Sequence, residues 1–166
     1  MDVGNEFGFV QTYLPQHVIA IRLLIAAVFG AMIGFEREFN TAEAGLRTHI
    51  LVAVAAALFT ILTFEIFHTI EPGPGGTQAD PIRAIEAVTA GIAFLGAGAI
   101  FRSGGNVQGL TTGAGMWLAG AVGVATALGF YLIGLGVALL AVIVLAALRA
   151  LAHNVIDKGN SSPDGR

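Results

Sequence analysis

The chain contains no cysteine, so disulfides and thiolate metal centres are excluded. It is also short of charge: 11% of its 166 residues are Asp, Glu, Lys or Arg, against roughly 25% in a soluble domain. The formal net charge is -3 and no basic patch exists, so no nucleic-acid partner is expected. Catalytic constellations are missing as well. Neither Ser103 nor any threonine has an evident base and orienter, and no HExxH or Walker pattern is present, so the chain is not expected to be an enzyme. The lead carries Asp2 and Glu6 and no early Lys or Arg, unlike a cleavable signal peptide, so the first span is expected to be retained.

What the chain has instead is apolar residues, 55% of the total, gathered into runs that match the ~20 residues needed to cross a bilayer. The expected fold is all-α: a polytopic membrane protein with five transmembrane helices. Residues 1–17 read as a polar or interfacial lead, with Phe7, Phe9 and Tyr13 at headgroup level and Pro15 ending it. Residues 18–148 form the membrane domain, and 149–166 a short cytoplasmic tail that is expected to be disordered. Within the domain the spans are expected at about 18–35, 50–67, 82–101, 111–128 and 131–148. Pro and Gly in the stretch 71–81 mark a loop, and Asp80 before Pro81 is a helix start, the carboxylate capping free N–H groups. Thr111 and Thr112 are placed to cap the fourth helix, and a tight turn is expected near Gly129.

The chain is organised around GIAFLGAGAIFRSGGNVQGLTTGAGMW, Gly91 to Trp117, in which a glycine-laced helix runs through a polar glycine loop into a second helix of small residues. In lipid, small residues let backbones approach closely, so Gly91, Gly96 and Gly98, with Gly113 after the loop, read as packing positions. Gly30 and Gly34 form a GxxxG pair of the same kind near the end of span one. The loop from Arg102 to Gly109 reads as a tight hydrogen-bonded reversal, or as a cradle in which Arg102 and the next helix N-terminus hold an anion such as a lipid headgroup.

Arg37 and Arg47 in the first link, Arg102 in the third, and Arg149, Lys158 and Arg166 in the tail share one side of a five-span topology. The positive-inside rule then puts the N-terminus outside and the C-terminus in the cytoplasm. Arg22, Glu65, His68, Asp80, Arg83 and Glu86 fall at the outer end; Glu36, Arg37, Glu38, Arg47, Thr48, His49, Arg102, Asn106, Thr111 and Thr112 fall at the cytoplasmic end. Glu86 lies six residues past the Asp80 cap, hence about 9 Å along the helix, and Arg22 is at similar depth. A charge at mid-bilayer costs at least ~2.5 kcal/mol, so these two are expected to neutralise each other as a bridge or to mark an ion path. Arg83 and Glu86 also form an i,i+3 pair. Glu65 and His68 read as interfacial, and Glu38 and Glu43 as solvated link residues.

Five blocks in register carry a resemblance: Gly34-Phe35-Glu36-Arg37-Glu38, Gly45-Leu46-Arg47-Thr48-His49, Asp80-Pro81-Ile82-Arg83, GIAFLGAGAIFR, and GGNVQGLTT up to Trp117. In their order and spacing they are similar to the MgtC/SapB family of bacterial inner-membrane proteins, over roughly residues 18–148. The residues matching the family pattern are Glu36, Arg37, Arg47, Thr48, His49, Asp80, Arg83, Arg102, Asn106, Thr111, Thr112 and Trp117. Many relatives have glutamine at the position of Ala87, where this chain has Glu86 one residue earlier, and its GAGMW helix is richer in glycine than the family norm. Relatives with a soluble cytoplasmic C-terminal domain exist, and only the membrane domain is expected here.

The resemblance implies a multi-pass protein of the bacterial inner membrane, tied to magnesium homeostasis, to survival at low magnesium and, in some members, to virulence. It implies either of two roles: a Mg²⁺ transporter, or a regulatory subunit that binds another membrane protein such as an ATPase. Mg²⁺ keeps much of its water and is held by one or two carboxylates, which makes Glu86, Asp80 and Glu36 the candidate contacts. No resident cofactor is expected beyond Mg²⁺ itself. The expected partners are membrane lipids, further copies of the chain in a homo-oligomer, and another membrane protein.

Overall fold

The computed structural model describes residues 12–38, 44–69, 80–103 and 105–160. The expectations for the first residues of the lead, for Glu43, for the Pro/Gly loop before Asp80, for Gly104 and for the last residues of the tail lie outside them. The described chain is all-α apart from one small hairpin: α1 Gln16–Glu38, α2 Leu46–Thr69, α3 Pro81–Ala99, β1 Phe101–Ser103, β2 Asn106–Gln108, α4 Leu110–Ala127 and α5 Tyr131–Asn160. Helices α1 to α4 are long and apolar enough to cross a bilayer, and the apolar part of α5, Tyr131–Ala147, is the shorter fifth.

Each boundary has a local cause. Helix α1 begins just past Pro15, whose carbonyl accepts from Val18 N at 2.8 Å. Helix α3 begins at the expected cap: Asp80 Oδ1 accepts from Ile82 N at 3.0 Å and Pro81 stands in the first turn, where its missing N–H costs nothing. Helix α4 departs from expectation. Its N-cap is Gly109 at φ 83°, with no side-chain cap, and Thr111 and Thr112 lie inside the helix. A Cβ at residue 109 would collide with the Ala99 carbonyl, so the chain returning from the hairpin can pass the end of α3 only as glycine. The turn between α4 and α5 is the expected one, with Gly129 at φ 86°.

Two further departures come from short-range chemistry. The polar reversal is a β-hairpin, with Phe101 opposite Gln108 and Ser103 opposite Asn106, and Gly105 at φ 87° serves the tight connection. Span three therefore ends at Ala99 and Phe101 belongs to β1. Helix α5 runs on to Asn160, past the boundary expected at 148. The residues beyond that boundary, Ala150, Leu151 and Ala152 among them, are strong helix formers, and no glycine or proline follows until Gly159.

The core is a three-helix junction of α1, α2 and α4, with α5 against α1 and α4, while α3 leans on α4 and touches α2 less. Buried Phe29, Ile33, Val52, Ala53, Ala119 and Val122 fill it, with Ala138 and Ala141 of α5. A second cluster near the other end gathers Ala26, Ala57, Ile61 and Ala127. Close approach depends on glycine. A Cβ on Gly30 would stand 2.7 Å from the His49 carbonyl oxygen, and one on Gly34 would stand 2.8 Å from Leu46 Cα. The GxxxG pair thus packs α1 directly on the α2 backbone. Gly123 of α4 meets the Ala53 carbonyl in the same manner, and Gly113 lies 3.1 Å from the Gly96 carbonyl oxygen, measured from an added Cβ. Gly91 and Gly98, expected to pack, instead have nothing within 4 Å of an added Cβ, Gly91 because it borders the open cleft between α3 and α2.

Candidate functional site

The expected polar residues divide between two ends of the bundle. At the hairpin end, α1 finishes in Glu36-Arg37-Glu38 and α2 starts at Leu46. Glu38 is exposed and, beyond being solvated, its Oε2 accepts from Leu46 N at 2.9 Å, placing a carboxylate at the positive end of α2. Gly45 leaves room for it, since a Cβ there would collide with Glu38 Oε2. Arg37 sits in the last turn of α1, where a cation opposes the helix dipole. Its Nη2 donates to Thr112 Oγ1 of α4 at 3.2 Å, and its Nε is buried with no hydrogen-bond partner among the described residues.

His49 is the centre of this junction, with 0% of its surface exposed. Its Nδ1 donates to the Gly45 carbonyl at 2.8 Å. Its Nε2 points at Gly115 of α4, where an added Cβ would be 2.9 Å away, and has no partner among the described residues. Gly34 of α1 closes the other side, its added Cβ coming within 2.9 Å of His49 Cβ. The imidazole therefore fills a slot that exists because α1 and α4 each present a glycine to it. Glu36 and Thr48 are half-buried beside this junction, while Arg47, Asn106 and Thr111 are exposed around it and Arg102 lies in β1.

At the opposite end the expected bridge between Arg22 and Glu86 is replaced by other partners. Arg22 Nη1 donates to the Ala127 carbonyl, so the guanidinium caps the C-terminus of α4, where free carbonyls and the helix dipole favour a cation. Glu65 is also engaged: its carboxylate accepts from Tyr13 N at 2.6 Å and Leu14 N at 2.9 Å. The Tyr13 ring stacks on His68 with centroids 3.7 Å apart. Together they fasten the lead to α2. Arg83 pairs with Asp80, Nε to Oδ2 at 3.8 Å, in place of the expected Glu86. Glu86 is exposed on α3 beside a shallow groove formed with Thr89, Ala93 and Trp117, and it has no cation among the described residues.

The three carboxylates expected as metal contacts are not brought together. Asp80 and Glu86 lie at the start of α3 and Glu36 at the far end of α1. Among the described residues no group of three or more His, Asp or Glu is arranged to hold a metal ion. The larger cleft, about 580 Å³ between α2 and α3, is lined by apolar residues such as Val52, Phe59, Ile66, Val88 and Leu95.

Sequence reasoning missed Gly115, Gly123 and Arg22's true partner. The two glycines share one face with Ala119 at steps of four, a signal as readable as the GxxxG of α1. Arg22 and Ala127 are joined only through the fold, and no local pattern announces that bond.

Against known proteins, the model of the MgtC family matches residues 23–154. Protein MgtC of Brucella abortus (strain 2308) is 46% identical over 99 residues, 60% of this chain and 38% of that protein. "Putative magnesium transporter YhiD" of Escherichia coli (strain K12) is 34% identical over 138 residues, 83% of this chain and 64% of that protein. Protein MgtC of Salmonella typhimurium (strain LT2) is 36% identical over 135 residues, covering 81% of this chain and 54% of that protein. The chain thus spans between 38% and 64% of these relatives. No solved structure matches it.

Proposed function

The chain belongs to the MgtC family, and on that premise we propose that it is a multi-pass protein of the bacterial inner membrane that supports magnesium homeostasis by contact with other membrane proteins. It does so without conducting the ion. In this reading the N-terminus lies outside and the C-terminus in the cytoplasm, which the bias of Arg and Lys toward one side supports. Magnesium is then the quantity regulated, not a resident cofactor.

One observation carries this reading. Hydrated Mg²⁺ needs a polar, roomy path, and the cleft between α2 and α3 is lined by apolar residues while α1, α2 and α4 meet backbone to backbone. Even the buried hydroxyls of Thr60 and Thr126 are turned to their own helices, donating to Ala56 and Val122 carbonyls at 2.7 and 2.8 Å. The second reading is a Mg²⁺ transporter. It is favoured by the name of the Escherichia coli relative and by Glu86 and Asp80 at one mouth of the bundle, with Glu36 at the other.

Purified protein in proteoliposomes separates the two. Mg²⁺ influx no faster than in empty vesicles, with Glu86→Gln indistinguishable from the parent chain, is expected. Influx that disappears in Glu86→Gln would overturn the contact reading and make the chain a transporter.

A further inference from the structure

Helix α3 has an outward face unlike that of α5. Arg83, Ala87, Ala90, Phe94 and Ala97 follow one another at steps of four and three, the spacing of a helix-pairing seam, and all five are exposed. Gly98 flanks that seam, and Gly91 borders it at the edge of the cleft with α2, each with nothing within 4 Å of where a side chain would be. The outward face of α5 is built differently, from Leu132, Ile133, Leu139, Leu140 and Ile143. Bulky aliphatic side chains of that sort suit lipid tails, whereas small residues characterise surfaces on which another helix rests.

Charge says which helix that is. Glu86 borders the seam about one turn deeper than Arg83, and leaving a carboxylate against lipid is costly. Among the described residues Arg22 and Arg37 are engaged with the Ala127 carbonyl and with Thr112, and Arg83 turns to Asp80 rather than to Glu86 of its own helix. The Arg83–Asp80 contact is long and its side chains are 84% and 46% exposed, so it is readily exchanged. A two-fold axis beside α3 makes the face complementary to itself, because what one copy offers the other receives. Copies inserted in one orientation can pair α3 only in parallel, which sets Arg83 of each within a turn of Glu86 of the other.

Resting on the reading of this protein as one that works by contact, we propose that α3 is a self-association surface on which a second copy of this chain packs, with reciprocal Arg83–Glu86 pairing above the Ala87-Ala90-Phe94-Ala97 seam. Phe94, 80% exposed in the protomer, is then covered by the small residues of the facing helix.

The absence of native cysteine makes the test direct. Ala90→Cys and, as a control on the lipid face of α5, Leu140→Cys are each placed in the full chain, reconstituted in phosphatidylethanolamine–phosphatidylglycerol vesicles at high dilution and oxidised. Disulfide-linked dimer is expected in the α3 variant at about ten times the yield of the control. Adding Glu86→Arg to Ala90→Cys sets like charges face to face and lowers the yield about tenfold; adding Arg83→Glu as well restores it, which a merely misfolded variant would not do. Dimer no more abundant than in the α5 control, a yield indifferent to Glu86→Arg, or no recovery in the charge-swapped chain would each overturn the proposal. Such a failure is distinct from failure of the contact reading, which falls only to Mg²⁺ flux by the purified chain.

Discussion

Helices α3 and α4 are joined by the hairpin and written in the same small-residue vocabulary, yet they are used in opposite ways. In α4, 56% of the membrane-spanning residues are buried inside the protomer; in α3, 6%. The glycines of α4 are consumed inside the protomer, Gly113 on Gly96, Gly115 on His49, Gly120 on Ile92 and Gly123 on Ala53. Of the glycines in α3, Gly96 alone meets a neighbour, and Gly91 and Gly98 meet none. The difference teaches that glycine content reports capacity for close packing and not its use. One helix uses that capacity for the fold, the other keeps it for what lies beside the protein.

The contrast breaks most visibly at the glycines themselves. Gly123→Leu forces a side chain into the Ala53 carbonyl and is expected to destabilise the bundle by about 3 kcal/mol or more, whereas Gly91→Leu, entering open space, is expected to leave unfolding in mixed micelles unchanged. Equal effects would erase the distinction. A smaller loss, about 1–3 kcal/mol, is expected for Arg22→Met, which strips the C-terminus of α4 of its cap; the same change at exposed Arg47 should cost nothing measurable. Thr112→Val, which removes the acceptor of the Arg37 bond, is expected to cost about 0.5–1.5 kcal/mol in the same assay. Least of all, Arg83→Ala should move protomer stability by under about 0.5 kcal/mol, since its bridge to Asp80 is exposed, even as it weakens association.

Much of this architecture is legible in the residues. Apolar runs of bilayer length give the helices to within a few positions, Asp80-Pro81 marks the start of α3, and Gly30 with Gly34 locates the closest contact of α1. The hairpin is not legible, because strands of three residues are too short to show a period of two. Nor is the extension of α5, where a polar, charged tail suggests disorder although its first residues favour helix. The site is legible in composition and not in pairing: Glu36, Arg37, His49 and Thr112 do gather at one end, but helical periodicity tells which residues share a face and is silent on which face finds a neighbour. For that reason depth alone matches Arg22 to Glu86, while the fold gives it the Ala127 carbonyl, and small size alone assigns Gly91 and Gly98 to a packing face that this chain leaves bare.

The most direct test of α3 as the working surface is growth under magnesium limitation of cells that depend on this chain, carrying Gly91→Leu together with Gly98→Leu. Both positions open onto empty space, so the variant is expected to insert and fold at the level of the parent and to lose support of growth. Full support of growth by a well-folded Gly91→Leu, Gly98→Leu chain would contradict a working role for the outward face of α3.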